Sequence, residues 1–160
     1  MNNKKRIVYS VVSLLTGALV CTIYNYYTTK LLNKEECSTS LVVFYNNTRS
    51  EIKLNFIYSL ENKKGIVAVS GNYYEQDKLQ GKIRRDVEYR WSENHDTYQL
   101  VSTKINHYSI LENLSLEKMA KILPGFYLFP ERKVNYSIQN QGTSGFVFSA
   151  GERPLFYCAR

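Results

Sequence analysis

The chain has 160 residues, 44% of them apolar. This fits one domain, or a small domain plus an anchor, and excludes both a two-domain enzyme and wholesale disorder. The formal net charge is +7, but Lys4, Lys5 and Arg6 supply three of those charges and the remainder is close to balanced, so the basic character alone does not argue for nucleic acid.

The first element is an anchor. Residues 1–6 form a short basic N-terminus, and 7–29, IVYSVVSLLTGALVCTIYNYYTT, carry no charge. The most apolar part, 7–23, is extended by Tyr24, Tyr26 and Tyr27, which fall where an aromatic belt sits at a membrane–water interface. About 20 residues span the ~30 Å hydrocarbon layer as a helix, so 7–29 is expected to be a single transmembrane helix in contact with the lipid bilayer. Lys4-Lys5-Arg6 places the N-terminus in the cytoplasm and the remainder outside. Three rival readings are weaker. A cleaved signal peptide lacks an A-x-A site after the apolar run. Acylation at Cys21 would follow Val20, where a small residue is expected. A buried helix of a soluble domain would show a polar face.

Residues 30–40 are polar and read as a tether. From Leu41 the pattern turns to period two, the mark of strands with one buried face. Strands are expected at 41–45, 51–59, 65–74, 79–91 and 97–108, with Ser92–Asp96 as a turn. On 51–59, Ile52, Leu54, Phe56 and Tyr58 share a face. On 79–91 the odd positions Leu79, Gly81, Ile83, Arg85, Val87, Tyr89 and Trp91 face one way and six polar residues the other. Ser115 is a plausible N-cap for a helix over 116–123, which Pro124-Gly125 stop. Strands resume at 125–129, 133–139, 145–150 and 154–158. The expected fold is mainly β: residues 41–160 form a small antiparallel barrel or sandwich of about eight strands with one helix. The barrel is preferred, because one wide sheet would expose two edges.

Cys21 lies in the apolar run and reads as a small apolar residue. Cys37 and Cys158 stand at the two ends of the outer domain. In an oxidising compartment they are expected to form a disulfide. A reactive or metal-bound thiol is the alternative, but neither C-x-x-C nor a nearby His supports it.

The catalytic inventory is thin. His95 and His107 are the only histidines, without metal-ligand spacing. No phosphate loop, G-x-S-x-G or H-E-x-x-H is present, so the chain is not expected to be an enzyme, and no cofactor is implied. The sequons at Asn46, Asn113 and Asn135 matter only in a eukaryotic secretory route. Lys82, Arg84 and Arg90, with Tyr89 and Trp91, have the make-up of a nucleic-acid patch. Asp86 and Glu88 on the same face neutralise it, so no direct nucleic-acid contact is expected. Arg85 is different, because alternation places its guanidinium among apolar residues. Either it pairs with a core carboxylate, or it is the counter-charge of a small anionic amphipathic ligand held inside the barrel.

A short anchor, a β-rich outer domain and a tail reading GFVFSAGERPLFYCAR resemble the MyfF/PsaF proteins, and GKIRRDVEYRW is similar to the glycine-then-Arg strand of the more distant FidL-like and ToxS-like group. The resemblance implies a protein of the bacterial inner membrane with a periplasmic C-terminal domain. It implies that this domain pairs with, and stabilises, the periplasmic domain of a ToxR-like membrane transcription activator, promoting expression of a fimbrial adhesin operon. It supplies no catalytic residues. The alternative function is a periplasmic chaperone or assembly factor for fimbrial subunits.

Overall fold

The computed structural model describes residues 3–32, 34–95 and 97–160. The chain divides into two compact units, Met1–Lys34 and Glu35–Arg160.

The first unit is one helix, α1 (Asn3–Leu32), of 30 residues. It covers the whole expected span. Two of its hydroxyls bond within the helix: Thr16 Oγ1 donates to the Val12 carbonyl at 3.0 Å and Thr22 Oγ1 to the Leu19 carbonyl at 2.9 Å. The described side chains at 12–26 are all exposed. Among the described residues no helix is long and apolar enough to cross a membrane. The side chains of Lys4, Lys5, Arg6 and Tyr27 lie outside the described residues, as does Asp96 of the expected turn.

The second unit is an eight-stranded closed barrel of antiparallel neighbours in chain order: β1 (Lys34–Tyr45), β2 (Thr48–Ser59), β3 (Lys64–Glu75), β4 (Lys78–Asn94), β5 (Thr97–His107), β6 (Lys133–Asn140), β7 (Gly145–Ala150) and β8 (Arg153–Ala159). The barrel, rather than the sandwich, is therefore the architecture. Closure leaves no free edge. Of the expected tether, residues 34–40 belong to β1, which begins at Lys34, and Cys37 and Thr39 already face inward.

Alternation sets which residues fill the barrel. On β2 the inward set is Ile52, Leu54 and Phe56; on β4 it is Gly81, Ile83, Arg85, Val87 and Tyr89. Leu79 breaks the expected series and is 50% exposed. Opposite Tyr73 and Tyr74 stand Gly81 and Leu79, so Gln80 is the extra residue of a bulge, and one inserted residue flips the face. The β3–β4 turn is built on Gln76 and Asp77, both at positive φ, the conformation of a two-residue hairpin that matches strand twist.

The β5–β6 connection closes one end. Ser115 does cap a helix, accepting the Lys118 N–H, but that helix, α2, is only Leu116–Met119. Tighter turns carry Ile122 and Leu123 into the core. The expected strand at 125–129 is instead a 3-10 turn, Gly125–Tyr127. Phe126, Tyr127 and Leu128 are consecutive and all buried, a pattern that strand alternation cannot produce. This segment shares the barrel's core with Ile83, Val87 and Phe148.

Candidate functional site

The expected Cys37–Cys158 disulfide is present, with Cα atoms 5.3 Å apart and a sequence separation of 121. Both residues are buried. The bridge joins β1 to β8 beside Ser38 and Ala159, the register pair through which these strands meet. It therefore clips the barrel where first and last strands close.

Arg85 points inward, as alternation requires, and is 2% exposed. The bulges at Gln80 on β4 and at Thr103 on β5 lie on either side and leave its register intact, opposite Val69 on β3 and His107 on β5. Its Nε donates to Glu112 Oε2 at 2.8 Å, and Nη2 donates to Glu112 Oε1. Nη1 donates to the Tyr127 carbonyl at 3.4 Å. Glu112 Oε2 also accepts the Arg84 backbone N–H at 3.2 Å. This is a bidentate buried ion pair holding the β5–β6 connection onto β4. Arg85 meets a carboxylate, so its role is structural, and its charge is not free to receive an anion. Nothing in the sequence marked Glu112 as the partner; only the need of an inward arginine for some carboxylate was legible.

The other singled-out polar residues lie apart. His95, at φ 45 in the β4–β5 turn, places Nδ1 2.6 Å from Asn94 Oδ1, and both His95 and His107 are exposed. Lys82, Arg84 and Arg90 are exposed with carboxylates among them: Arg90 pairs with Glu131 at 3.4 Å, and Lys104 with Glu88 at 3.9 Å. Among the described residues no cluster of three metal-ligating side chains occurs.

The barrel's other end, at the β2–β3, β4–β5 and β6–β7 turns, holds a cavity of about 300 Å³. Tyr58, Tyr89, Trp91, Tyr98 and Phe146 line it, with Phe56 and Phe148 deeper in the core. The rings interlock: Trp91 and Tyr98 centroids are 5.7 Å apart, and Phe56 and Phe148 5.2 Å. Two carboxylates, Glu35 and Glu93, and the Asn140 amide are the other polar groups of the lining, and among the described residues no lysine, arginine or histidine joins them. Glu35 Oε2 accepts from the Tyr58 hydroxyl at 2.9 Å and from Arg160 Nη2 at 2.8 Å. Burial, and then the bond to Glu35, raise the Tyr58 hydroxyl well above the usual phenol range. Burial raises Tyr89 in the same direction. Sequence reading placed Tyr58, Tyr89 and Trp91 on inward faces but did not collect them into a site, because the convergence of three hairpin ends is a property of closure.

Fold and site define a small up-and-down antiparallel barrel, clipped by one disulfide and holding an aromatic cavity at one mouth. The chain belongs to the YqeJ C-terminal domain family, whose model matches residues 34–158. It is 36% identical over 157 residues to the uncharacterised protein YqeJ of Escherichia coli (strain K12), covering 98% of this chain and 98% of that one.

Proposed function

We propose that this is a single-pass inner-membrane protein whose periplasmic barrel pairs with the periplasmic domain of a ToxR-like membrane activator and stabilises it. Its output is transcription of the activator's target operon, a fimbrial adhesin operon in the MyfF/PsaF branch it resembles. It works by interaction, without catalysis and without touching nucleic acid. The observation that carries the reading is the pairing of an uncharged helical segment with a disulfide-clipped domain directly after it. Disulfides persist in oxidising compartments, and a helix over 7–29 with a Lys4-Lys5-Arg6 flank would put the barrel there. The outward faces of β1 and β8 support a protein partner: Val42, Phe44, Leu155 and Tyr157 are exposed on adjacent strands, Phe44 at 72%. Exposed apolar patches of this kind mark interaction sites.

The test is a deletion strain carrying the ToxR-like activator. Loss of this chain should lower the activator's level and silence its operon, and the full chain, but not residues 1–36 alone, should restore both. Unchanged activator level and unchanged transcription would reject the reading. Co-purification with a fimbrial subunit in place of the activator would favour an assembly chaperone.

A further inference from the structure

We propose that the barrel mouth is a binding site for a small organic ammonium ion with an apolar, ring-sized body. The cavity has the two features such an ion needs, and both come from the chain's own residues. Aromatic faces attract a cation through their quadrupoles while tolerating its apolar part. Tyr58, Tyr89, Trp91, Tyr98 and Phe146 supply those faces around one space. Glu35 and Glu93 supply negative charge at the same lining. An anion would enter against the Glu93 carboxylate, while Arg160 at the rim is already engaged by Glu35 and Arg85 in the core by Glu112. Pockets of this kind fix orientation with few polar groups in an apolar wall. The volume of about 300 Å³ stands at the lower end of the range of about 300–1,000 Å³ for small-molecule pockets, which suits a small ligand.

The chain also shows the chemistry at this rim directly. The Arg160 guanidinium lies 4.5 Å from the Phe146 ring centre while its Nη2 bonds Glu35. Lys63 Nζ lies 6.0 Å from the Trp91 ring centre. The wall thus already holds one cation, Arg160, by ring face and carboxylate together, and a second, Lys63, over a ring face. With Glu35 shared with Arg160, Glu93 is the carboxylate left to meet the ammonium. The proposal is independent of the activator reading, because it concerns the protein alone.

Trp91 is the only tryptophan and lines the cavity, so its emission reports on this site. The full-length chain in a mild nonionic detergent is titrated with phenethylammonium, 2-phenylethanol and 3-phenylpropionate, which carry similar bodies with positive, zero and negative charge. The ammonium should bind at least about ten-fold more tightly than the alcohol, and the carboxylate most weakly. Glu93→Gln should remove most of that preference while leaving 2-phenylethanol affinity unchanged. Arg160→Met, which frees Glu35 and the Phe146 face, should tighten ammonium binding. Equal affinity for the three probes, tightest binding of the carboxylate, or an ammonium affinity indifferent to Glu93→Gln would overturn the proposal. So would absence of ammonium binding by both Trp91 emission and equilibrium dialysis.

Discussion

Arg85 on β4 and Glu112 in the β5–β6 connection, 27 residues apart in sequence, meet as a two-point ion pair under the closed end of the barrel. The arginine side chain is 3% exposed and the glutamate 7%, so neither charge is offset by water. Removing one partner strands the other in a low-dielectric core. Arg85→Met should therefore destabilise the barrel by about 3–5 kcal/mol. The double substitution Arg85→Met, Glu112→Leu should recover much of that loss, because both desolvation costs disappear together. Urea midpoints of the four proteins, read as a cycle, check this. Additive single effects would show that the pair does not act as a unit.

The Cys37–Cys158 bridge closes a loop with a sequence separation of 121. The chain-entropy model assigns about 5 kcal/mol to a loop of that length, an upper figure for a bond whose mechanism is disputed. The bond also lies where β1 and β8 meet through Ser38 and Ala159. Cys158→Ala should lower stability by several kcal/mol, within that ~5 kcal/mol bound, and hydrogen exchange should quicken first in β1 and β8. Equal thermal midpoints with and without reductant would mean that the seam holds without it.

Much of this fold was written in local pattern. The alternation on 51–59 and 79–91 gave the inward residues Ile52, Phe56, Ile83, Arg85 and Val87, because a pleated strand leaves side chains no other choice. What period two could not convey was interruption. Gln80 has no mark of a bulge, yet it turns Leu79 outward. Phe126-Tyr127-Leu128 has the composition of a strand, yet all three bury in a connection that plugs the barrel. The 30–40 segment is polar, yet Cys37 and Thr39 alternate inward on β1. The cavity was the least legible feature. Its walls come from β1, β2, β4, β5, β6 and β7, and only closure and hairpin lengths decide which ends meet.

Gly65 is fixed by the cavity wall. A Cβ at this position would lie 2.5 Å from the end of the Tyr89 ring and 2.8 Å from the Ile57 carbonyl oxygen. The tyrosine could swing, but the carbonyl belongs to the paired β2–β3 ladder and cannot. Gly65→Ala should cost about 1–3 kcal/mol, the range for overpacking. It should also shift Trp91 emission, since Tyr89 and Trp91 share the cavity. A stable variant with unaltered emission would show that β2 and β3 adjust more freely than their pairing implies.

Alkaline pH should open the barrel before it affects the surface. Burial raises Tyr89 and Tyr136 above the ordinary phenol range, and raises Tyr127 well above it with help from Tyr136, whose hydroxyl lies 3.1 Å away. For Tyr136 that bond to Tyr127 acts the other way and offsets part of the rise. The folded state therefore keeps these phenol protons, and that of Tyr58, which the unfolded chain gives up near pH ~10. Stability carried by these groups is complete below about pH 10 and falls as pH climbs beyond it, since the unfolded state then binds fewer protons. Each tyrosine contributes a slope of about 1.4 kcal/mol per pH unit until its folded value is reached. The urea midpoint should hold steady from about pH 8 to about pH 10 and then drop steeply. Tyr127→Phe removes one ionising hydroxyl, although it leaves the Tyr136 hydroxyl without its partner, so it should lower stability at neutral pH yet flatten the alkaline fall. Tyrosinate absorbance followed alongside unfolding is the direct measurement. If the buried phenols ionise while the protein is still folded, the slope has another origin.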